Sequence, residues 1–112
     1  AKVAWGEGTK EFSREQLAAG INLAAEFGAT PFDGNFNAYL GRVGEKQQFE
    51  TVLIKQLVTN FRGFEGDAQA DPEVAAAFKT LKEKLAGRQA ALDMKARAAL
   101  APVKHKLTVT PL

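Results

Sequence analysis

The residues best suited to covalent catalysis in this sequence are a single serine, Ser13, and a single histidine, His105. A serine nucleophile requires an adjacent base and an acid that orients the base. Ser13 lies in the string Phe-Ser-Arg-Glu, which lacks the glycines of the sharp turn that exposes such a nucleophile. Ser13 and Gln16 instead have the spacing of a helix capping box. We therefore predict that Ser13 begins a helix and that the chain has no catalytic residue.

Side chains that bind metals or redox cofactors are scarce. The absence of cysteine excludes disulfides, and with only one histidine no zinc-ligand spacing is present. Pro102 lies three residues before His105, so the Glu-x-x-His pattern of di-iron bundles is absent. We predict no metal ion and no cofactor. The acidic pairs have the spacing of solvated surface residues: Glu11 with Glu15, and Glu45 with Glu50.

Basic residues are concentrated in the C-terminal part of the chain. The net charge is +2, but residues 79–106 contain eight basic and two acidic residues, against seven and eleven in the remainder. Phosphate binding requires the positive charges to form one face. On a helix, Lys79 and Arg97 fall on one side of the apolar stripe, and Lys84 and Lys95 on the other. We interpret this region as a solvated helix and predict no nucleic-acid partner.

Length and composition are typical of one globular domain, with 112 residues of which 46% are hydrophobic and 25% charged. No apolar run is long enough to cross a bilayer, and no signal peptide is visible. We predict no membrane partner. Ala1 lies next to a predicted strand and is not preceded by a methionine. We interpret residues 1–112 as a single domain, or as a processed chain or fragment of a longer protein.

Two short stretches of alternating polar and apolar residues predict a small sheet. Residues 2–12 predict a hairpin, with Val3 and Trp5 on one face and a turn at Gly6-Glu7-Gly8. Residues 106–110 alternate in the same way and predict a last strand. We expect this strand to pair with the hairpin in an antiparallel sheet.

Three helices are expected between these strands. The first spans about 14–27, with Gly28 as its stop, and a loop follows at 30–34. The second spans about 35–61, and its internal glycines, Gly41 and Gly44, suggest a close helix contact or a kink. Residues 62–70, with two more glycines, are expected to form a loop.

The third helix is expected to span about 72–101, because Asp71-Pro72-Glu73 is a strong helix start and Pro102 is a stop. Its apolar spacing of four, three and four residues suits antiparallel packing on the second helix. The expected fold class is α+β, mostly helical. It combines a short antiparallel sheet, a short helix and a long antiparallel helical hairpin. The apolar residues that give the spacing are Val74, Phe78, Leu81 and Leu85.

Two stretches near the N-terminus are unusual as strings: Val3-Ala4-Trp5-Gly6-Glu7-Gly8, and the pattern F-x-x-x-x-L-x-x-G-x-N-L-A from Phe12 to Ala24. These strings carry a resemblance to the C-terminal region of bacterial SGNH (GDSL-like) hydrolases. Its most specific block is Gly20-Ile21-Asn22-Leu23-Ala24. Further similar strings follow along nearly the whole chain, at Thr30-Pro31-Phe32, Gln47-Gln48-Phe49-Glu50, Leu53-Ile54-Lys55-Gln56-Leu57 and His105-Lys106-Leu107-Thr108-Val109-Thr110-Pro111.

This resemblance implies a region downstream of the catalytic blocks. The serine, oxyanion and Asp-x-x-His blocks of the family do not occur here, and Pro102 stands where the acid would precede His105. Trp5, Gly20, Asn22 and His105 are therefore motif residues without an assigned catalytic role. For Asn22, we favour hydrogen bonds to the backbone of a neighbouring loop over contact with a substrate.

The resemblance implies a non-catalytic structural or cleft-shaping region, with the catalytic domain of a parent ester hydrolase as its partner. The parent enzyme would be secreted or periplasmic. Self-association through exposed apolar surface is the alternative partner. A stand-alone helical protein-binding module is the alternative function, and it would be soluble, monomeric and cooperative in unfolding, whereas a severed region would expose an apolar patch.

Overall fold

The computed structural model describes all 112 residues and has the predicted α+β, mostly helical fold class. The chain divides into two compact units. Unit 1 consists of Ala1–Asn37 together with Ala101–Leu112, and unit 2 consists of Ala38–Leu100.

Unit 1 contains a three-stranded antiparallel sheet. Its strands are β1 (Lys2–Trp5), β2 (Gly8–Glu11) and β3 (Leu107–Thr110), in the order β2-β1-β3. Trp5 pairs with Gly8, which leaves Gly6-Glu7 as a two-residue turn, and Gly6 supplies the positive φ of 59° that such turns require. The C-terminal strand therefore pairs with the hairpin as expected.

The core of unit 1 is small and largely aromatic. Four side chains are buried, and Leu17, Ile21 and Leu23 pack against them. Two short helices, α1 (Arg14–Ala19) and α2 (Leu23–Glu26), together with the residues between them, supply these three packing side chains. The buried side chains are Val3, Trp5, Phe12 and Phe27.

The prediction of a single helix over 14–27 is wrong in one respect, because the helix is interrupted at residues 20–22. Gly20 has a φ of +88°, which ends α1, and Asn22 begins α2. Left-handed glycine is the usual helix stop, so Gly20 takes the role that was predicted for Gly28. The capping box of Ser13 and Gln16 is confirmed.

A long, distorted helical segment leads from unit 1 into unit 2. Helix α3 (Asp33–Val52) continues into a π-helical stretch at Leu53–Val58, then α4 (Thr59–Phe61) and a 3₁₀ turn at Arg62–Phe64. The helix start lies slightly earlier than the expected residue 35. A Cβ added to Gly41 or Gly44 would meet no heavy atom of another element within 4 Å, so neither glycine marks a close contact.

The loop expected over 62–70 is wrong, because this stretch is helical. The 3₁₀ turn is followed by α5 (Glu65–Ala70). Each glycine inside a helix costs about 1 kcal/mol relative to alanine. The stretch contains no proline and has the good helix formers Ala68, Gln69 and Ala70, so it stays helical despite this cost. A glycine pair was therefore too weak a signal for a loop.

Helix α6 (Pro72–Ala98) completes unit 2. The Asp71 carboxylate accepts hydrogen bonds from the amides of Glu73 and Val74, at 2.8 and 3.4 Å, which confirms the predicted start. The helix ends three residues before the expected Ala101. A proline disfavours helical conformation in the residue before it, and Ala101 precedes Pro102.

Helices α3 and α6 pair in an antiparallel hairpin, as the apolar spacing predicts. Three cross-helix contacts give the register: Lys46 Nζ lies 3.0 Å from an Asp93 oxygen, Gln89 Nε2 donates to Glu50 at 2.8 Å, and the Phe61 and Phe78 rings are 4.7 Å apart. Ala96 is the only buried residue of unit 2. No helix combines the length and the apolarity that crossing a bilayer demands.

Candidate functional site

The two most widely separated motif residues, Trp5 and His105, are in direct contact in unit 1. The Trp5 indole Nε1–H donates a hydrogen bond to His105 Nδ1, at 3.0 Å. Trp5 is only 5% exposed, so its N–H has little access to water and needs this acceptor. The bond requires the neutral imidazole, with its proton on Nε2.

Phe32 and Phe27 extend this contact into an aromatic cluster. The Phe32 ring lies edge to face on His105, with ring centroids 4.9 Å apart, and Trp5 contacts Phe27 at 5.8 Å and Phe32 at 6.0 Å. Edge-to-face pairs add about 0.5–1.5 kcal/mol each beyond area burial. The cluster therefore joins β1, the segment after α2 and the segment before β3.

A shallow cavity of about 640 Å³ lies beside the cluster. The hairpin turn, the Phe27–Pro31 segment and residues 104–106 line it. Close packing shapes its floor, since a Cβ at Gly8 would lie 2.6 Å from a Phe27 ring carbon. Lys104 and Lys106 line it together with the acidic Glu7, whereas Lys10 is paired with Glu26 at 3.3 Å.

The cavity can bind a polar group, but its histidine is not arranged as a catalytic base. Hydrogen bonding to Trp5 occupies His105 Nδ1, the position that an orienting carboxylate would occupy in a triad. Ser13 Oγ accepts from the Gln16 amide at 3.1 Å. The Glu15 backbone amide and Ser13, both close to the Glu15 carboxylate, lower its pKa.

Asn22 has a structural role at the start of α2. Its Oδ1 accepts hydrogen bonds from the amides of Ala24 and Ala25, at 3.1 and 3.3 Å. Asn22 therefore bonds to the backbone of its own helix, and the prediction that it bonds to a neighbouring loop is wrong. A glycine followed two residues later by asparagine is the stop-and-start signal that would have predicted this break.

The start of α3 contains a second capping arrangement that the sequence interpretation missed. Asp33 accepts hydrogen bonds from the Thr30 amide and the Thr30 hydroxyl, at 2.7 and 2.6 Å, and these bonds lower the pKa of Asp33. Pro31 occupies the first-turn position that prolines favour. This arrangement places Phe32 against His105. Thr-Pro-x-Asp is a recognisable helix-start string, so the signal was present.

Comparisons of the chain with known protein families, with curated proteins and with solved structures gave no match. No group of three or more His, Asp or Glu side chains is placed to hold a metal ion. The site consists of an aromatic cluster with one polar bond at its solvent-exposed edge, beside a cavity lined by Glu7, Lys104 and Lys106 among others.

Proposed function

We propose that this chain is a non-catalytic structural region of an SGNH-type ester hydrolase, where it supports the catalytic domain and shapes one side of its substrate cleft. The proposal rests on the resemblance of its sequence blocks to the C-terminal region of that family. One observation carries it further. The strings that contain Trp5, Asn22, Phe32 and His105 lie in unit 1, where a hydrogen bond joins Trp5 to His105 across 100 residues of sequence, whereas the strings at 47–50 and 53–57 lie in unit 2.

Because these four strings lie in the same unit, we favour a shared structural role for them. The block with Trp5 forms the hairpin, and the Gly20–Ala24 block forms the break between α1 and α2. The block Thr30-Pro31-Phe32 lies directly before α3. The last string forms β3 and presents His105 to the indole. In two of these blocks polar side chains bond to the backbone: Asn22 accepts from the Ala24 and Ala25 amides, and Thr30 Oγ1 accepts from the Phe32 amide. The Trp5–His105 bond joins the first and last blocks through their side chains, which supports a scaffolding role.

The cavity beside the cluster is the part of unit 1 that would face a cleft. Its lining includes Phe27 and His105, three lysines and one acidic residue, Glu7, and two of the lysines are Lys104 and Lys106. Such a wall can orient a polar or anionic substituent of an ester through charge-assisted hydrogen bonds without taking part in bond cleavage. The nucleophile, base and oxyanion donors would come from the catalytic domain.

An ester-hydrolysis assay of the chain alone tests the non-catalytic part of the proposal. We expect no turnover of p-nitrophenyl acetate above that of the matched Ser13→Ala and His105→Phe variants, since neither residue is activated. Turnover that disappears in Ser13→Ala would overturn the proposal. The control variant is Lys104→Gln, because Lys104 lines the cavity but is neither the candidate nucleophile nor the candidate base.

The proposed family relationship is tested separately, by the coding sequence upstream of Ala1. A Gly-Asp-Ser block followed by an Asp-x-x-His block would support it. A frame that contains neither block, or a start codon directly before Ala1, would overturn it.

A further inference from the structure

The only histidine of the chain accepts a hydrogen bond from its only tryptophan. The Trp5 Nε1 and His105 Nδ1 atoms are 3.0 Å apart, and the bond joins β1 to the segment directly before β3. An indole N–H can only donate, and a ring nitrogen of imidazole accepts only while it carries no proton. The bond therefore exists only while His105 is neutral and has its proton on Nε2.

The two partners differ in their access to water. Trp5 is 5% exposed, whereas His105 is an exposed residue. A proton can therefore reach the imidazole from solvent while the core stays closed. Once both ring nitrogens carry protons, the Nδ1–H group would point at the indole N–H, so the imidazole must turn away. The buried Trp5 N–H then loses its acceptor, which destabilises the closed arrangement.

Few charged groups surround His105. Lys104 and Lys106 flank it in the chain and disfavour a further positive charge on the ring, whereas Glu7 of the hairpin turn lines the same cavity and favours it. No carboxylate lies within ion-pair distance of the imidazole. The other charged groups of the neighbouring elements have partners of their own, which are Glu26 for Lys10 and Thr30 for Asp33.

We propose that the Trp5–His105 bond is a pH-sensitive switch, which holds the C-terminal segment against β1 while His105 is neutral and breaks when His105 takes up a proton. The His105 ring also packs on Phe32, with ring centroids 4.9 Å apart, so its movement loosens the segment before α3 as well. The stability that the bond adds is present at neutral pH and is lost as the pH falls through the range in which histidine titrates. All these groups lie in unit 1, and the inference does not rest on the proposed function.

Urea unfolding of the full 112-residue chain at about pH 7.5 and 5.5, followed by Trp5 fluorescence, tests the proposal. The matched variant is His105→Asn, because the asparagine side-chain oxygen can replace Nδ1 as the acceptor but does not titrate. A histidine in an unfolded chain takes up its proton at about pH 6.5, so the effect at pH 5.5 has a ceiling of about tenfold. We expect the folding equilibrium constant of the parent chain to fall about three- to tenfold more than that of His105→Asn. An equal fall in both chains would overturn the proposal.

Nuclear magnetic resonance of the parent chain gives a second measurement that needs no variant. The chain has one imidazole and one indole, so each gives a single set of signals. We expect the imidazole to carry its proton on Nε2 at about pH 7.5, and the indole N–H resonance to shift along the same titration curve as the imidazole. A proton on Nδ1 at this pH, or an indole resonance that does not follow the imidazole, would overturn the proposal even if His105→Asn does not fold.

Discussion

At the scale of single residues, unit 1 has one polar bond between its buried core, at Trp5, and the exposed ring of His105. Trp5 brings a large apolar ring into the core together with an N–H that must find an acceptor. His105 provides that acceptor from the other end of the chain, at 3.0 Å, while its ring packs on Phe32. The sequence identified both residues as motif members, but no local pattern joins positions 100 residues apart.

Replacing His105 by phenylalanine should therefore destabilise unit 1. Phenylalanine keeps an aromatic ring at this position but leaves the Trp5 N–H without its acceptor, which costs about 1–3 kcal/mol. Trp5 is the only tryptophan, so its fluorescence during urea unfolding reports this unit directly. Lys104→Gln, an exposed change in the same segment, should stay within about 0.5 kcal/mol of the parent chain. Equal stability of His105→Phe and the parent would contradict the role of the bond.

Gly8 is a second residue on which unit 1 depends. A Cβ at this position would lie 2.6 Å from a Phe27 ring carbon, and Phe27 is only 4% exposed, so the ring has little room to move. Overpacking of this kind costs about 1–3 kcal/mol, and we expect Gly8→Ala to lower the urea midpoint accordingly. Gly28→Ala is the matched control, because a Cβ there would meet open space to 4 Å. Similar losses in both variants would contradict the packing argument.

At the scale of elements, periodicity predicted the helices better than it predicted their interruptions. The seam of α3 and α6 and the Asp71-Pro72 start followed from spacing and capping alone. The break at Gly20 and the helical continuation through Gly63 and Gly66 did not, because glycine either stops a helix or is tolerated in it according to the φ that packing imposes. Periodicity also does not predict the π-helical stretch, which contains no glycine.

An ion cluster between α3 and α6 should make the hairpin sensitive to acid. Hydrogen bonds from Arg97 and Lys46 lower the pKa of Asp93, and the contact with Asp93 raises the pKa of Lys46. Since the carboxyl pKa is lower in the folded chain, its contribution to stability is present above the unfolded value of about 4 and is lost as the pH falls through the folded pKa.

Asp93→Asn should therefore lower the helical melting temperature at pH 7 and have little effect at a pH below the folded pKa of Asp93. The change should be modest and salt-sensitive, because the groups are partly exposed. Thermal melting followed by circular dichroism at both pH values measures it. Glu83→Gln is the control, since Glu83 forms no ion pair on the same helix. A loss for Asp93→Asn that is independent of pH would contradict the electrostatic explanation.

At the scale of the whole molecule, the two units differ in how completely they bury their apolar residues. The core cluster of unit 1 contains four buried side chains, whereas in unit 2 only Ala96 is buried and the residues of the predicted seam are partly buried. The fold class could be predicted because each unit follows local patterns. The incomplete burial could not, since spacing identifies an apolar face but does not determine how many helices will cover it.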